Sequence, residues 1–278
     1  MAYKRILTIQ DISCVGQCSM TVALPILSAC GHETCILPTA VLSTHTGGFG
    51  KPVVHHLGES IEAICRHWKE QDISFDAILV GYLGSVPAVE MVSGILDDML
   101  APGGVAIVDP AMADHGKLYS GFDEKYAAAM HKLCEKADIM LPNITEAAMM
   151  AGLPYRDEPD QNYVEDLLSR LGGHDVVLTG VGFSPDQTGA AVRCKGAVSY
   201  HNHKRFPKSF HGTGDIFAAC LTGMLMQGHP LEEAAAIASD FTCLCIEKTI
   251  LSPAHWYGVK FEEALPWLMN RNAPEENK

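Results

Sequence analysis

Basic residues are scarce in this chain: 20 Lys and Arg stand against 33 Asp and Glu, for a formal net charge of −13. That balance excludes the basic footprint needed to displace counterions from nucleic acid, and it argues against adhesion to anionic lipid. No stretch approaches the ~20 uninterrupted apolar residues of a membrane span. The apolar run after Tyr3-Lys4-Arg5 is too short for an export signal and lacks a small-residue cleavage site. There is no CxxC pair, and the cysteines at 14, 18, 30, 35, 65, 134, 194, 220, 243 and 245 show no zinc-site spacing. Cys14-x3-Cys18 and Cys243-x-Cys245 stay open as ligand pairs; most of the others fall in Ala-, Leu- and Ile-rich segments, where a free thiol acts as a small core hydrophobe. With no export signal, a reduced cytoplasmic protein is expected. HExxH and GxSxG are absent, which removes the zinc-protease helix and the serine nucleophile elbow. No Walker A loop exists either, since Gly50-Lys51 is followed by Pro52 and lacks the upstream glycine.

What is present is globular. Hydrophobic residues make up 47%, charged residues 19%, and the mean hydropathy is +0.09, unlike a disordered chain, which is poor in apolar residues and rich in charge. A chain of 278 residues can bury a core without disulfide or metal, and with no repeat, low-complexity tract or linker it reads as a single domain over 1–278. Continuous apolar runs at 4–10, 34–42, 76–80, 105–108, 139–141 and 176–179 read as strands; 20–29, 58–70, 88–100, 123–136, 214–227, 231–248 and 261–269 read as helices. Alternation over 185–203, with a turn near Gly196, predicts an antiparallel edge hairpin. The expected fold is therefore α/β, a three-layer sandwich with a mostly parallel central sheet flanked by helices. The tail 272–278 is polar and expected to fray.

In such sheets ligands collect beyond the carboxyl ends of the strands. Gln10-Asp11, Gly81-Tyr82, Asp109-Pro110, Pro142-Asn143 and Thr179-Gly180 each follow an apolar run directly. Singly, each is an ordinary polar turn; five at one edge point to a site. Gly212-Thr213-Gly214-Asp215 opens a long apolar helix. Its glycines let backbone N–H groups approach an anion, and the helix N-terminus adds partial positive charge. Asp215 can cap that helix or accept a proton from a substrate hydroxyl. Asn143 and Glu146 are three apart at a helix start, where they can form a cap pair or offer hard oxygen ligands for Mg²⁺. Asp109 and Asp114 can serve the metal, a monovalent cation, or merely solvated turns. Ser43-Thr44-His45-Thr46-Gly47-Gly48-Phe49 has the composition of a flexible flap with an aromatic lid. His55, His56, His201 and His203 read as surface positions.

In the order of these signals the sequence resembles the ribokinase-like superfamily, and within it the pyridoxal (vitamin B6) kinases, from about Ile6 to Glu247. Gly212-Thr213-Gly214-Asp215 and Asn143-x-x-Glu146 carry the superfamily resemblance; His45-Thr46-Gly47 and Gly81-Tyr82-Leu83-Gly84-Ser85 carry the B6 branch. The resemblance implies ATP-dependent phosphorylation of the 5′-hydroxymethyl group of a B6 vitamer, in a homodimer. It implies that Asp215 is the base and that the turn from Gly212 through Thr213 to Gly214 stabilises the transferring phosphoryl. It further implies that Asn143, Glu146, Asp109 and Asp114 organise Mg²⁺ and phosphates, with a monovalent cation also possible there. Thr179 would contact the nucleotide, and Thr46 the pyridine, beside His45 and Tyr82. Backbone amides and Mg²⁺, not surface cations, would then handle the phosphate, so the acidic charge excludes large polyanions without excluding ATP.

One departure stands out. Where that family has a Ser-His pair after the first strand, this chain has Asp11-Ile12, followed by Ser13-Cys14-Val15-Gly16-Gln17-Cys18-Ser19. A carboxylate at Asp11 could accept from a ring nitrogen, a hydroxyl or an amine, which makes it a candidate determinant of vitamer preference. A hydroxymethylpyrimidine kinase, which acts on another flat ring with one hydroxymethyl group, is the nearest alternative; a non-catalytic vitamer-binding protein is the second. A sugar or nucleoside kinase is third, since the spacing leaves little room for the added lid.

Overall fold

The computed structural model describes residues 3–252 and 254–271; the tail expected to fray, 272–278, lies outside the described residues. The elements run β1 (Arg5–Ser13), α1 (Met20–Ala29), β2 (Glu33–Leu42), β3 (Val54–His56), α2 (Gly58–Glu70), β4 (Phe75–Val80), α3 (Val86–Met99) and β5 (Leu100–Val108). Next come β6 (Ala113–Asp114), β7 (Lys117–Leu118), α4 (Glu124–Cys134), β8 (Ile139–Met140), α5 (Ile144–Ala151), α6 (Gln161–Arg170) and β9 (Asp175–Thr179). The chain then closes with β10 (Gln187–Cys194), β11 (Ala197–Lys204), α7 (Thr213–Met226), α8 (Leu231–Ile250) and α9 (Leu265–Arg271).

Among the described residues, one nine-stranded sheet has the order β11-β10-β9-β8-β5-β4-β1-β2-β3. The strands from β9 through β2 pair in parallel, with the antiparallel β10–β11 hairpin at one edge and β3 at the other. The side-chain period of two divides each central strand between two cores. Leu7, Ile9, Ile78 and Val80 pack with α2 through α6, while Ile6, Ala77, Leu79 and Ile107 pack with α1, α7, α8 and α9. Burial on both faces is why these strands read as unbroken apolar runs. The expected mostly parallel three-layer sandwich is the fold observed.

The hairpin turns at Lys195-Gly196, both at positive φ (49° and 85°), the twist that a two-residue connection requires. The strand expected to stop at residue 10 continues to Ser13, so Gln10 and Asp11 lie within β1. Its pairing with β2 shifts register between Gln10 and Ile12, the kind of irregularity that re-aims side chains beside a site. The carboxyl ends of β9, β8, β5, β4 and β1, neighbours in that order, bring the polar pairs at 179, 142, 109, 81 and 10 to a single edge.

Candidate active site

The turn before α7 is built around Gly212, which has φ +80°. A Cβ there would collide with the Gln17 carbonyl oxygen, so the loop after β1 lies directly against the turn. Helix α7 is buried along most of its length, and Ile216 through Met224 fill the core and fix its N-terminus. Asp215 sits in its first turn, half-buried. Burial pushes its carboxyl up to about 6, the Ser19 backbone N–H works against that shift, and the charge of Asp11 adds to it. Gly214 is exposed, and a Cβ on it would stand 3.9 Å from the Asp109 Oδ2.

Asn143 and Glu146 form a reciprocal capping box on α5. Asn143 Oδ1 accepts from Glu146 N (3.0 Å), and Glu146 Oε2 accepts from Asn143 N (2.9 Å). Glu146 Oε1 accepts from Met112 N (3.0 Å) and Ala113 N (3.3 Å), while Asn143 Nδ2 donates to Ala113 O (2.7 Å). Glu146 is 2% exposed, so its carboxylate locks the 109–114 turn onto α5. Asp109 is half-buried, and its carboxyl is held well above the usual range by burial, Glu146 and Asp215. Asp114 stays exposed, with Oδ1 accepting from His115 N (2.8 Å). Thr179 bridges to Asn143 in the sheet, and its N–H donates to Pro142 O (2.9 Å).

These carboxylates suit a hard cation by donor type. The hydrogen-bonded state of Glu146 suits an outer role through water, and among the described residues no group of three or more His, Cys, Asp or Glu forms a metal-holding cluster. Asp109, with no ion pair among the described residues and facing Gly214, would be the better placed of the two to touch a cation directly.

On the other side of Asp215, Asp11 is 3% exposed, and its Oδ2 accepts from Ser13 Oγ (2.9 Å). Tyr82 is half-buried, and its ring stacks on Phe122 at 5.4 Å; its hydroxyl is pushed up by burial and then by the Asp11 charge. Gln10 Nε2 donates to Thr8 Oγ1 (2.7 Å), and its Oε1, buried over Gly81, has no partner among the described residues. In the flap, His45 is 5% exposed while Thr46 points to solvent-exposed surface, so His45 is the inward residue of the pair. His45 Nδ1 accepts from Gly47 N (2.6 Å), which leaves the proton on Nε2 of the neutral ring. Burial, then His211, lowers the pKa of His45. Its rings meet Phe49 at 5.4 Å and His211 at 5.0 Å. Phe49 in turn packs on Trp256 (4.6 Å) and Tyr257 (5.2 Å).

Trp256 and Tyr257 were not singled out by the sequence, and Ser13 and Ser19 were marked only as part of the altered stretch after the first strand. The first two come from a segment with no periodicity, some 200 residues from the flap. Ser19 had a local sign only in its place before the apolar run that begins at Met20.

This topology, with an amide-lined helix N-terminus facing an acid and a second acidic edge beside it, defines a small-molecule kinase of ribokinase-like architecture. Residues 25–258 match the family described as phosphomethylpyrimidine kinase, and the chain belongs to that family, whose structural neighbours include pyridoxal kinases. A pyridoxal kinase from Lactobacillus plantarum superposes with a TM-score of 0.90 at 35% identity, covering 98% of each chain. A Bacteroides thetaiotaomicron protein assigned as a phosphomethylpyrimidine kinase, crystallised with pyridoxal, gives a TM-score of 0.88 at 32% identity over 99% of this chain and 98% of that one. The hydroxymethylpyrimidine/phosphomethylpyrimidine kinase of Haemophilus influenzae is 29% identical over 64% of this chain and 67% of its own.

Proposed function

We propose that this kinase, acting as one domain over the whole chain, transfers the γ-phosphoryl group of ATP to the 5′-hydroxymethyl group of a B6 vitamer, with Asp215 as general base. The observation that carries the reading is the placement of Asp215 in the first turn of α7, behind the Gly212–Gly214 turn, with its carboxyl raised to about 6 by burial. At neutral pH a carboxyl of that pKa is mostly ionised, and its basicity exceeds that of an ordinary aspartate. It takes the hydroxyl proton as the substrate oxygen bonds to the γ-phosphorus and the bond to the ADP oxygen breaks. The Gly212–Gly214 amides and the α7 N-terminus face the charge developing on the transferred group. Bound Mg²⁺ would supply charge neutralisation of the phosphates; Asp109 and Glu146 are the residues to hold it. The His45–Phe49–Trp256 contact excludes water from the flap side.

The vitamer reading, in preference to hydroxymethylpyrimidine, is supported by the near end-to-end likeness to a pyridoxal kinase and by the pyridoxal bound to the Bacteroides relative. The match to the Haemophilus enzyme keeps hydroxymethylpyrimidine as the second reading. A panel of pyridoxal, pyridoxine, pyridoxamine and hydroxymethylpyrimidine with ATP and Mg²⁺, read by product mass, decides between them. Preferred phosphorylation of the pyrimidine overturns the vitamer assignment, and tight vitamer binding with no phosphate transfer overturns the enzymatic one.

A further inference from the structure

The loop between β1 and α1 touches three parts of the site. Its Val15 carbonyl accepts from His45 N of the flap (2.9 Å), and its Gln17 carbonyl lies against Gly212 in the turn before α7. The third contact is made by the Gln17 side chain, which reaches the segment 255–262. Gln17 Nε2 donates to both carboxylate oxygens of Glu262 (3.0 Å each), and Gln17 Oε1 accepts from His255 Nε2 (2.7 Å). An amide oxygen can only accept, so the His255 ring carries a proton on that nitrogen. Gly258, between the two partners, lies so close to the Gln17 Cβ that a side chain there would collide with it. The far end of the segment is fixed, since Val259 and Phe261 are buried in the core. The near end, Trp256 and Tyr257, carries Phe49 of the flap and belongs to no helix or strand. Lys260 pairs with Glu263, which leaves the Gln17 amide as the partner of Glu262 among the described residues. One glutamine thus closes 255–262 into a loop tied at both ends, while its own backbone abuts the phosphoryl-binding turn.

We propose that Gln17 is a positioning residue of the phosphoryl transfer: its side chain clasps the segment that backs the flap, and its carbonyl braces the turn at Gly212, so the two keep one relative placement. The inference rests on the reading of the flap and the Gly212–Asp215 turn as one active site. The flap side needs such a clasp because a segment without its own ladder of backbone bonds is ordered by side chains. The turn side needs it because a small misplacement of the group that receives the phosphoryl slows transfer steeply. Thr21 Oγ1 holds the backbone beside Gln17 by donating to Cys18 O (2.9 Å), so the glutamine works from a fixed base.

The test uses the full chain and the ring substrate that the panel above selects. Gln17→Glu sets a carboxylate against Glu262 and opens the clasp by repulsion; adding Glu262→Gln rebuilds it with amide and acid exchanged. In Gln17→Glu, KM for the ring substrate rises and kcat falls, lowering kcat/KM about tenfold, the worth of one hydrogen bond to a charged group. KM for ATP is unchanged, and Glu262→Gln in the same chain restores the other two constants. A smaller folded fraction would instead lower kcat and leave both KM values in place. Native kinetics in Gln17→Glu, a fall in kcat alone, an equal rise in both KM values, or a loss that Glu262→Gln does not repair overturns the positioning role. If the native protein transfers phosphate to none of the rings, the kinase reading fails and the proposal with it. Should Gln17→Glu unfold, as checked by thermal melting, Gln17→Ala decides: the same split between the constants upholds the role, and any other result overturns it.

Discussion

At the scale of single residues, the site turns on one carboxyl whose environment differs from that of its neighbours. Asp215 carries the strongest chemical expectation, because burial raises it to about 6. Replacing it with Asn keeps size and polarity but removes the proton acceptor. Turnover should fall by about 10²–10⁴, the usual contribution of a general base, while the affinity for ATP, measured by calorimetry, stays close to that of the native protein. Turnover within a few fold of the native rate would end the assignment. Its position was legible in Gly-x-Gly-Asp before an apolar helix, but that pattern serves a helix cap as well as a base, and only the family resemblance pointed to the second. Glu146 was legible in position but ambiguous in role: the same Asn-x-x-Glu spacing serves a cap and a cation, and the structure displays the cap in full. The positive φ of Ser19 was not legible, because such a backbone state leaves no trace in local composition.

At the scale of elements, pattern and structure agree where a helix or strand carries its own signal. Helices α1 and α2 and the β10–β11 hairpin fall where their periodicity and turn glycine place them. Helix α6 went unread although Asp160 caps it by accepting from Tyr163 N (2.7 Å) and Tyr163, Val164, Leu167 and Leu168 form its buried stripe; its low overall hydrophobicity hid the stripe. The short strands β3, β6 and β7 were not legible for a different reason: each is two or three residues long and exists only through its partner. The flap belongs to the same class. Its composition marked a loop, but its position rests on Trp256 and Tyr257, and Gly48 at φ +84° brings backbone so near Trp256 that a Cβ would stand 2.8 Å from the indole. Trp256→Ala removes the ring on which Phe49 rests. KM for the vitamer should rise severalfold, since an aromatic pair contributes about 0.5–1.5 kcal/mol, while KM for ATP stays unchanged. An equal rise in both would mean that the ring supports the whole site rather than the flap.

At the scale of the whole molecule, four of the 33 acids converge on one place. Asp11, Asp109, Glu146 and Asp215 reach one sheet edge from β1, β5, α5 and α7, and among the described residues no ion pair touches any of them. Burial raises all four carboxyls, and mutual repulsion adds to it at Asp109 and Asp215. A carboxyl raised in the folded state holds its proton more tightly there than in the unfolded chain. Its contribution to stability is therefore complete below the ordinary value of about 4 and is lost as pH rises through the folded value, about 6 for Asp215. His32 and His45, lowered by burial, oppose this slope, because they favour the unfolded state as pH falls through the histidine range. With four acids against two histidines, the ligand-free protein should melt at higher temperature at pH 6 than at pH 8. Asp109→Asn, which removes the acid facing both Glu146 and Asp215, should raise the melting temperature at pH 8 and flatten the slope. Magnesium and nucleotide together should do the same to the native protein, adding about 2.7 kcal/mol at a hundredfold excess over Kd, because a cation at this edge removes the repulsion that the fold otherwise carries. Scanning calorimetry at the two pH values, with and without the nucleotide, checks each arm. A melting temperature that climbs from pH 6 to pH 8 in the ligand-free protein would show that the acids are not under strain and that the edge is not built around a missing positive charge.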